Sequence, residues 1–237
     1  MSIELICQKT NDLKKIFKTL LEEGGLLDRR LYIVPDNLKN ITDIEIEEIN
    51  KKLYYIIELS RDIENDKRYI TVIIMKDIQL LNEKKKKMKC IEYIDKIKNT
   101  EKTSLVIIYT TGSKEVGGKS YLQNLNSLEN YYIKRENYKF RDITLFYSTD
   151  ELLTNKMKHE LQPSVIKLYK QDENQSDIHE LYDKLTISDL NQLQHYCIND
   201  PVVKFYGGLP NDIFYLEYKS FSTGVGINYR YVMNTNM

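Results

Sequence analysis

The sequence predicts an α/β (α+β) protein in two parts: a layered α/β domain over residues 1–150 and a smaller mixed α+β domain over residues 151–237. Three observations support this. Up to residue 150, runs rich in β-branched and aromatic residues alternate with stretches of helical apolar spacing, the pattern of strands and helices layered on one sheet. From Lys156 onward the chain changes character, with a short helical pattern set among mixed polar flanks. Its 237 residues suit one large or two small domains and can bury roughly 70% or more of their unfolded surface, enough for a stable core.

Ile3, Ile6, Leu13, Ile16, Phe17, Leu20 and Leu21 recur largely at three- and four-residue spacings behind Ser2, and Gly24-Gly25 supplies a stop. This predicts an opening amphipathic helix. Thr42 followed by Glu45, with Ile46 and Ile49 beyond, has capping-box chemistry for a second, short helix. Leu53–Leu59 and Tyr69–Met75 are β-branched and aromatic and flank the polar stretch Arg61 to Arg68, which predicts two strands of one sheet. A helix near 86–98, a strand over Leu105–Tyr109, a glycine-containing loop over Gly112–Gly118, a helix through Tyr121–Leu128 and a strand near Ile143–Tyr147 complete the first part.

In the second part a helix is expected near Asp177–Leu185. Asp200-Pro201 opens another, because proline at the first helical position forfeits no hydrogen bond and the aspartate accepts from free amides. Ile213–Tyr218 and Ile227–Val232 read as a closing strand pair turned by Thr223-Gly224-Val225-Gly226.

Thirty-five basic residues balance thirty-five acidic ones, so no net field draws the molecule as a whole onto nucleic acid or an anionic membrane. Cys7, Cys90 and Cys197 are too few and too scattered for a disulfide framework or a zinc knuckle, which places the chain in a reducing compartment. No apolar run approaches the roughly 20 residues that span a bilayer, so a soluble intracellular protein is expected. Nineteen tyrosines, no tryptophan, and abundant Lys, Ile and Asn are the residue usage of AT-rich coding.

Several motifs invite a chemical reading. Lys84, Lys85, Lys86 and Lys87, with Lys89 beyond, are the densest positive charge; they fit duplex phosphates, but charge alone favours a solvated loop and first helical turn. Gly112–Ser120 ends in Gly118-Lys119-Ser120, but a phosphate-binding loop needs its first glycine at position 113, which is Ser113. Pro35-Asp36 with Glu83-Lys84-Lys85 mimics the short pattern of metal-dependent nucleases. Yet Pro35-Asp36 falls in a connection, and Glu83 lies after a strand rather than on it. His159, His179 and His195 are too widely spaced to define a metal site, so no metal and no cofactor are expected.

The order of three elements is more specific. His159-Glu160-Leu161-Gln162-Pro163, then Asp200-Pro201-Val202-Val203-Lys204-Phe205-Tyr206-Gly207, then Tyr229-Arg230-Tyr231-Val232 resembles the assembly domain of the fifth subunit of eukaryotic RNA polymerases, a family whose archaeal members lack the extra N-terminal domain. Looser similarity extends through Asp28–Leu38, Lys87–Lys98, Ser104–Tyr109 and Glu151–Asn155. The resemblance implies a non-catalytic polymerase subunit: an N-terminal jaw domain beside downstream DNA, and a C-terminal assembly domain docked on the largest subunit among the other polymerase subunits.

It further implies weak backbone contacts to duplex DNA by Ser113, Lys114 and Lys119, beside those read for Lys84–Lys87. The assembly residues it implies are His159, Glu160, Leu161, Pro163, Asp200, Pro201, Val202, Phe205, Tyr206, Gly207, Tyr229, Arg230 and Tyr231. No membrane and no homo-oligomer are expected. The chain departs from the family in lacking the usual proline in the 112–120 loop, in having Gly208–Asp212 where a Lys-Arg-Gly turn is usual, and in having Gln194 where proline is usual. The alternative reading is a metal-dependent nuclease or a nuclease-derived DNA-binding protein; a third is a free transcription regulator. AT-rich coding is shared by large DNA viruses and AT-rich protists. A viral polymerase is the favoured expectation, acting in a cytoplasmic virus factory and virion, with the nucleus as the cellular counterpart.

Overall fold

The computed structural model describes residues 3–52, 54–63, 66–75, 93, 94, 96–109, 115, 116, 119, 120, 140–147, 152, 155–159, 162–220 and 224–233. The chain divides into two compact units, Met1–Thr154 and Asn155–Met237, each with its own sheet. The architecture is α+β in both.

Unit 1 opens with α1 (Ile3–Leu21), which buries Leu13, Ile16, Phe17, Leu20 and Leu21 as the apolar spacing requires. Gly25 ends the turn that follows. A Cβ there would lie 2.6 Å from the Thr19 carbonyl oxygen and 2.7 Å from that of Glu22, so only glycine lets the chain double back. Two single-turn helices, α2 (Leu26–Arg29) and α3 (Asp36–Lys39), lead to α4 (Asp43–Lys51). The Thr42–Glu45 capping box forms as expected: the Thr42 hydroxyl accepts from Glu45 N, and the Glu45 carboxylate accepts from Thr42 N.

Strands β1 (Tyr54–Ile63) and β2 (Asp66–Met75) pair antiparallel, then β3 (Thr103–Tyr109) and β6 (Asp142–Tyr147) add in parallel, giving the order β1-β2-β3-β6. The polar stretch Arg61–Arg68 is mostly strand and not loop. Arg61 sits directly opposite Arg68, its guanidinium 5.2 Å from the Tyr32 ring centre, while Arg68 Nε lies 3.1 Å from Asp66 Oδ2. These contacts let two like charges share a ladder that would otherwise be disfavoured. Within the glycine-containing loop, β4 (Glu115–Val116) and β5 (Lys119–Ser120) form a minimal antiparallel pair. Of the helix expected over 86–98, Tyr93 and Ile94 are helical, and the chain has left the helix by Ile97; the rest, and the helix expected over 121–128, lie outside the described residues.

The register lines up three rows on one face of this sheet. They are Tyr55–Ile74–Ile108–Phe146, Ile57–Val72–Val106–Thr144, and Leu59–Ile70–Ser104–Asp142. The apolar face thus turns polar at Ser104, Asp142 and Thr144, near the start of β3 and β6. Arg30 closes that end just beyond α2: its guanidinium donates to Asp142 Oδ1 at 3.2 Å and Thr144 Oγ1 at 2.9 Å, and Ser104 Oγ donates to the other Asp142 oxygen. Burial pulls the Arg30 pKa down while Asp142 opposes that pull, so the pair is held as an ion pair away from water.

Unit 2 is a four-stranded sheet in the order β7-β9-β10-β8, built from β7 (Ser164–Tyr169), β8 (Gln194–Cys197), β9 (Ile213–Ser220) and β10 (Gly224–Met233). The sequence pattern does not announce β7 and β8. The expected turn is displaced too: Gly224-Val225-Gly226 already belongs to β10, paired with Ser220, Lys219 and Tyr218. The Tyr218 ring lies on Gly226, where a Cβ would meet its Cζ at 2.2 Å, so the second glycine makes room for a ring and not for a bend.

Helix α5 (Gln175–Leu185) buries Ile178 and Leu181 against Ile213 and Tyr231 on one sheet face. Helix α6 (Pro201–Tyr206) serves the other, with Tyr206 edge-on to Phe214 at 6.0 Å and Tyr196 edge-on to the same ring at 5.6 Å.

Candidate functional site

Asp200 caps α6, its carboxylate accepting from Val202 N at 2.8 Å with Pro201 at the first helical position, and Gly207 ends the helix at φ 63°. Both glycine and cap are therefore structural necessities of one short helix. Val202, Val203, Phe205 and Tyr206 are all buried, so the apolar side chains of this element form the inside of unit 2. The carbonyl of Gly207 accepts from the buried Lys170 ammonium at 3.0 Å.

Within Gly208–Asp212, where the chain departs from the family's usual turn, Asp212 is an internal tie. Asp212 is 1% exposed, and its carboxylate accepts from Leu209 N at 2.8 Å and from Gln171 N at 3.0 Å. Burial pushes its pKa up to about 6, outweighing the Lys170 charge and both amide donors. The backbone continues the tie: Asn211 N donates to Val232 O, and Val232 N donates to Asp212 O. Nothing in the sequence pattern separates such an aspartate from a turn residue, because the signal is a three-dimensional convergence of amides from β7's end and the 208–212 turn.

The terminal element splits across the sheet as strand alternation demands. Tyr231 is buried on the α5 face, its hydroxyl donating to Asn191 Oδ1 at 3.0 Å, and Tyr229 stacks on Tyr215 with ring centres 5.1 Å apart. Arg230 lies on the opposite face with its guanidinium carbon 4.8 Å from the Tyr196 ring centre, and its charge opposes the upward push that burial gives the Tyr196 phenol. Arg230 Nε is buried with no hydrogen-bond partner among the described residues.

Arg230 and Pro163 line the same groove of about 960 Å³, together with Gln162, Gln194, Tyr218 and Asn228. Asn228 Nδ2 donates to Gln194 Oε1 at 2.8 Å, tying two walls together. The structure thus brings the first and last sequence elements to one place through Pro163 and Arg230, while the middle element, α6, packs by Tyr206 on Phe214, directly opposite Arg230 in the register, and lines no part of the groove. His159 is exposed, and its carbonyl accepts from Gln162 N at 3.0 Å, which sets the bend leading to Pro163. Glu160 and Leu161 lie outside the described residues, as do Lys84, Lys85, Lys86, Lys87, Ser113 and Lys114; Lys119 is paired opposite Val116 in the small β4–β5 ladder.

Unit 1 holds a second groove of about 850 Å³ between α1 and the segment Leu31–Asp43. Leu31 is 68% exposed at φ 64°, and Ile33 is 84% exposed. Asp36 of the nuclease-like pattern sits on α3 in open solvent, 3.5 Å from Lys39 Nζ, and Glu83 lies outside the described residues. Among the described residues no group of three or more His, Cys, Asp or Glu side chains is placed to hold a metal ion, and no helix is long and apolar enough to cross a membrane.

Comparison with known proteins gives the groove its context. Residues 154–232 match the family described as RNA polymerase Rpb5, C-terminal domain, a span that coincides with unit 2 and contains Pro163, the α6 element and Arg230. No curated protein matches the chain. Residues 154–232 thus carry the Rpb5 C-terminal domain, a match that supports an Rpb5-like RNA polymerase subunit.

Proposed function

We propose that the chain is a non-catalytic subunit of a DNA-directed RNA polymerase that docks on the largest subunit through unit 2, while unit 1 contributes to the jaw near downstream DNA. The single observation that carries the docking reading is the convergence of Pro163 and Arg230 on one open groove inside the family-matched span. A part anchored by protein contacts needs little DNA affinity of its own, and the balanced charge of the whole chain agrees with that. The contacts to duplex backbone belong on this reading to Ser113, Lys114 and Lys119 after β3, with Lys84–Lys87 as a further basic stretch. The residue usage of AT-rich coding fits a large DNA virus and an AT-rich protist alike; on the viral reading the place of action is the virus factory and virion, and on the cellular reading the nucleus.

Affinity purification of the tagged chain from its native or infected cells, with a high-salt wash and mass spectrometry, tests the proposal. Near-equal recovery of the two largest polymerase subunits is the expected result. Recovery of the chain alone would overturn it and return the nuclease and free-regulator readings, which magnesium-dependent cleavage and polymerase-free duplex binding would then separate.

A further inference from the structure

The edges of the unit 2 sheet are not equally guarded. A strand edge presents unpaired amides and carbonyls, and proteins blunt it with charge, proline, bulges or shortness. Strand β7 carries Lys167 and an irregularity between Val165 and Lys167, and β8 is only four residues long. That shortness leaves a gap. β8 pairs with β10 only from Arg230 to Met233, while β9 pairs with β10 from Gly224 to Tyr231. On the side of β10 away from β9, no described strand lies beside Gly226–Tyr229. The four residues Gly-Ile-Asn-Tyr hold no charge and no proline, and Ile227 is 55% exposed. The slot is about 13 Å long at the rise of a strand, and β8 closes one end of it.

Charge says what kind of chain fits. The register puts Arg230, Asn228 and Gly226 on one sheet face with Phe214, Leu216 and Tyr218, and among the described strand residues no Asp or Glu projects from that face. Arg230 is its one guanidinium among the described residues, with Nε buried and lacking a hydrogen-bond partner there. We infer that Gly226–Tyr229 receives an extended, carboxylate-bearing segment of another polymerase subunit as an added strand, with Arg230 meeting its carboxylate. The added strand continues the line of β8, takes alternate main-chain hydrogen bonds from β10, and covers the exposed Ile227 side chain. This rests on the docking reading above and adds which edge is used and in what conformation.

The test uses the assembled polymerase purified from cells, with the photo-cross-linker p-benzoylphenylalanine at Ile227 and, as a control, at the exposed Ser176 of α5. Hydrogen exchange is compared for the peptide spanning 226–229 in the complex and in the free chain. Expected are cross-links from position 227 to a single Asp- or Glu-containing peptide of another polymerase subunit, and exchange at least about tenfold slower in the complex. Ile227→Lys, which guards the edge, and Arg230→Gln should each remove the protection while leaving the exchange of α5 unchanged. A polymerase that assembles normally while 226–229 exchanges as in the free chain overturns the inference and leaves the docking reading standing. Cross-links only to a second copy of this chain overturn it as well. Failure to recover any polymerase subunit with the unsubstituted chain removes both.

Discussion

Replacing Arg30 by methionine should be among the most damaging single changes in unit 1. The guanidinium and the Asp142 carboxylate keep only 3% and 8% of their side-chain surface exposed, so the variant leaves a buried carboxylate without its cation. Breaking such a pair from one side costs about 3–5 kcal/mol. Ser104 still donates to one Asp142 oxygen, which favours the lower end, while loss of the donor to Thr144 adds about 1 kcal/mol. Against a typical total stability of about 5–15 kcal/mol this is a large share. Asp142→Leu alone should cost as much, since it leaves the buried guanidinium without its carboxylate.

The double variant Arg30→Met/Asp142→Leu should cost far less than the sum, because it replaces an internal ion pair by apolar volume. Urea titration of all four chains, followed by hydrogen exchange of the peptides from β3 and β6, gives the coupling energy directly. A double variant as damaged as the two singles added together, or singles that each cost under about 1 kcal/mol, would refute the reasoning.

Other outcomes follow from local geometry. Asp212 has a folded pKa raised to about 6 from 3.8, so its contribution to the stability of unit 2 is fully present below about pH 4 and is lost as the pH rises through 6. The loss is about 3 kcal/mol at one pH unit per 1.4 kcal/mol, and Asp212→Asn should flatten that slope in melts taken across pH 4–7. Thr42→Ala removes one half of the capping box and should cost about 1 kcal/mol, read as a lower urea midpoint for unit 1. Gly25→Ala drives a Cβ into two carbonyl oxygens of the backbone and should cost about 1–3 kcal/mol by the same measurement; an unchanged midpoint would contradict the close approach.

What the residues reveal unaided follows the range of the interaction involved. The opening helix, the Thr42 capping box and the Asp200-Pro201 start are local patterns, and each is where the sequence places it. Strands with a continuous apolar run, such as Leu105–Tyr109, are equally plain. Arg61–Arg68 misleads because propensity sees a nearly unbroken polar run, whereas Tyr32 and Asp66 hold the arginines on the ladder. β7 and β8 escape notice because Ser164–Tyr169 and Gln194–Cys197 are short and half-exposed edge strands, with little periodicity to read. At the candidate site, the family resemblance draws attention to Pro163 and Arg230, and their meeting in one groove depends on a sheet order, β7-β9-β10-β8, that no local rule supplies. The internal role of Asp212 is invisible for the same reason.

That sheet order also sets a sequence of events in time. β8 lies parallel to β10, so Gln194 must wait for Arg230, much further along the chain, before it has a neighbour to pair with. Long-range parallel pairing of this kind is slow and comes late. Strand β10 supplies Tyr231 and Val232 to the interior and Asn228 and Arg230 to the groove, so the groove does not exist until that strand is seated. Whatever enters it is therefore checking that the unit has finished folding, and a chain stalled one strand short offers nothing to hold.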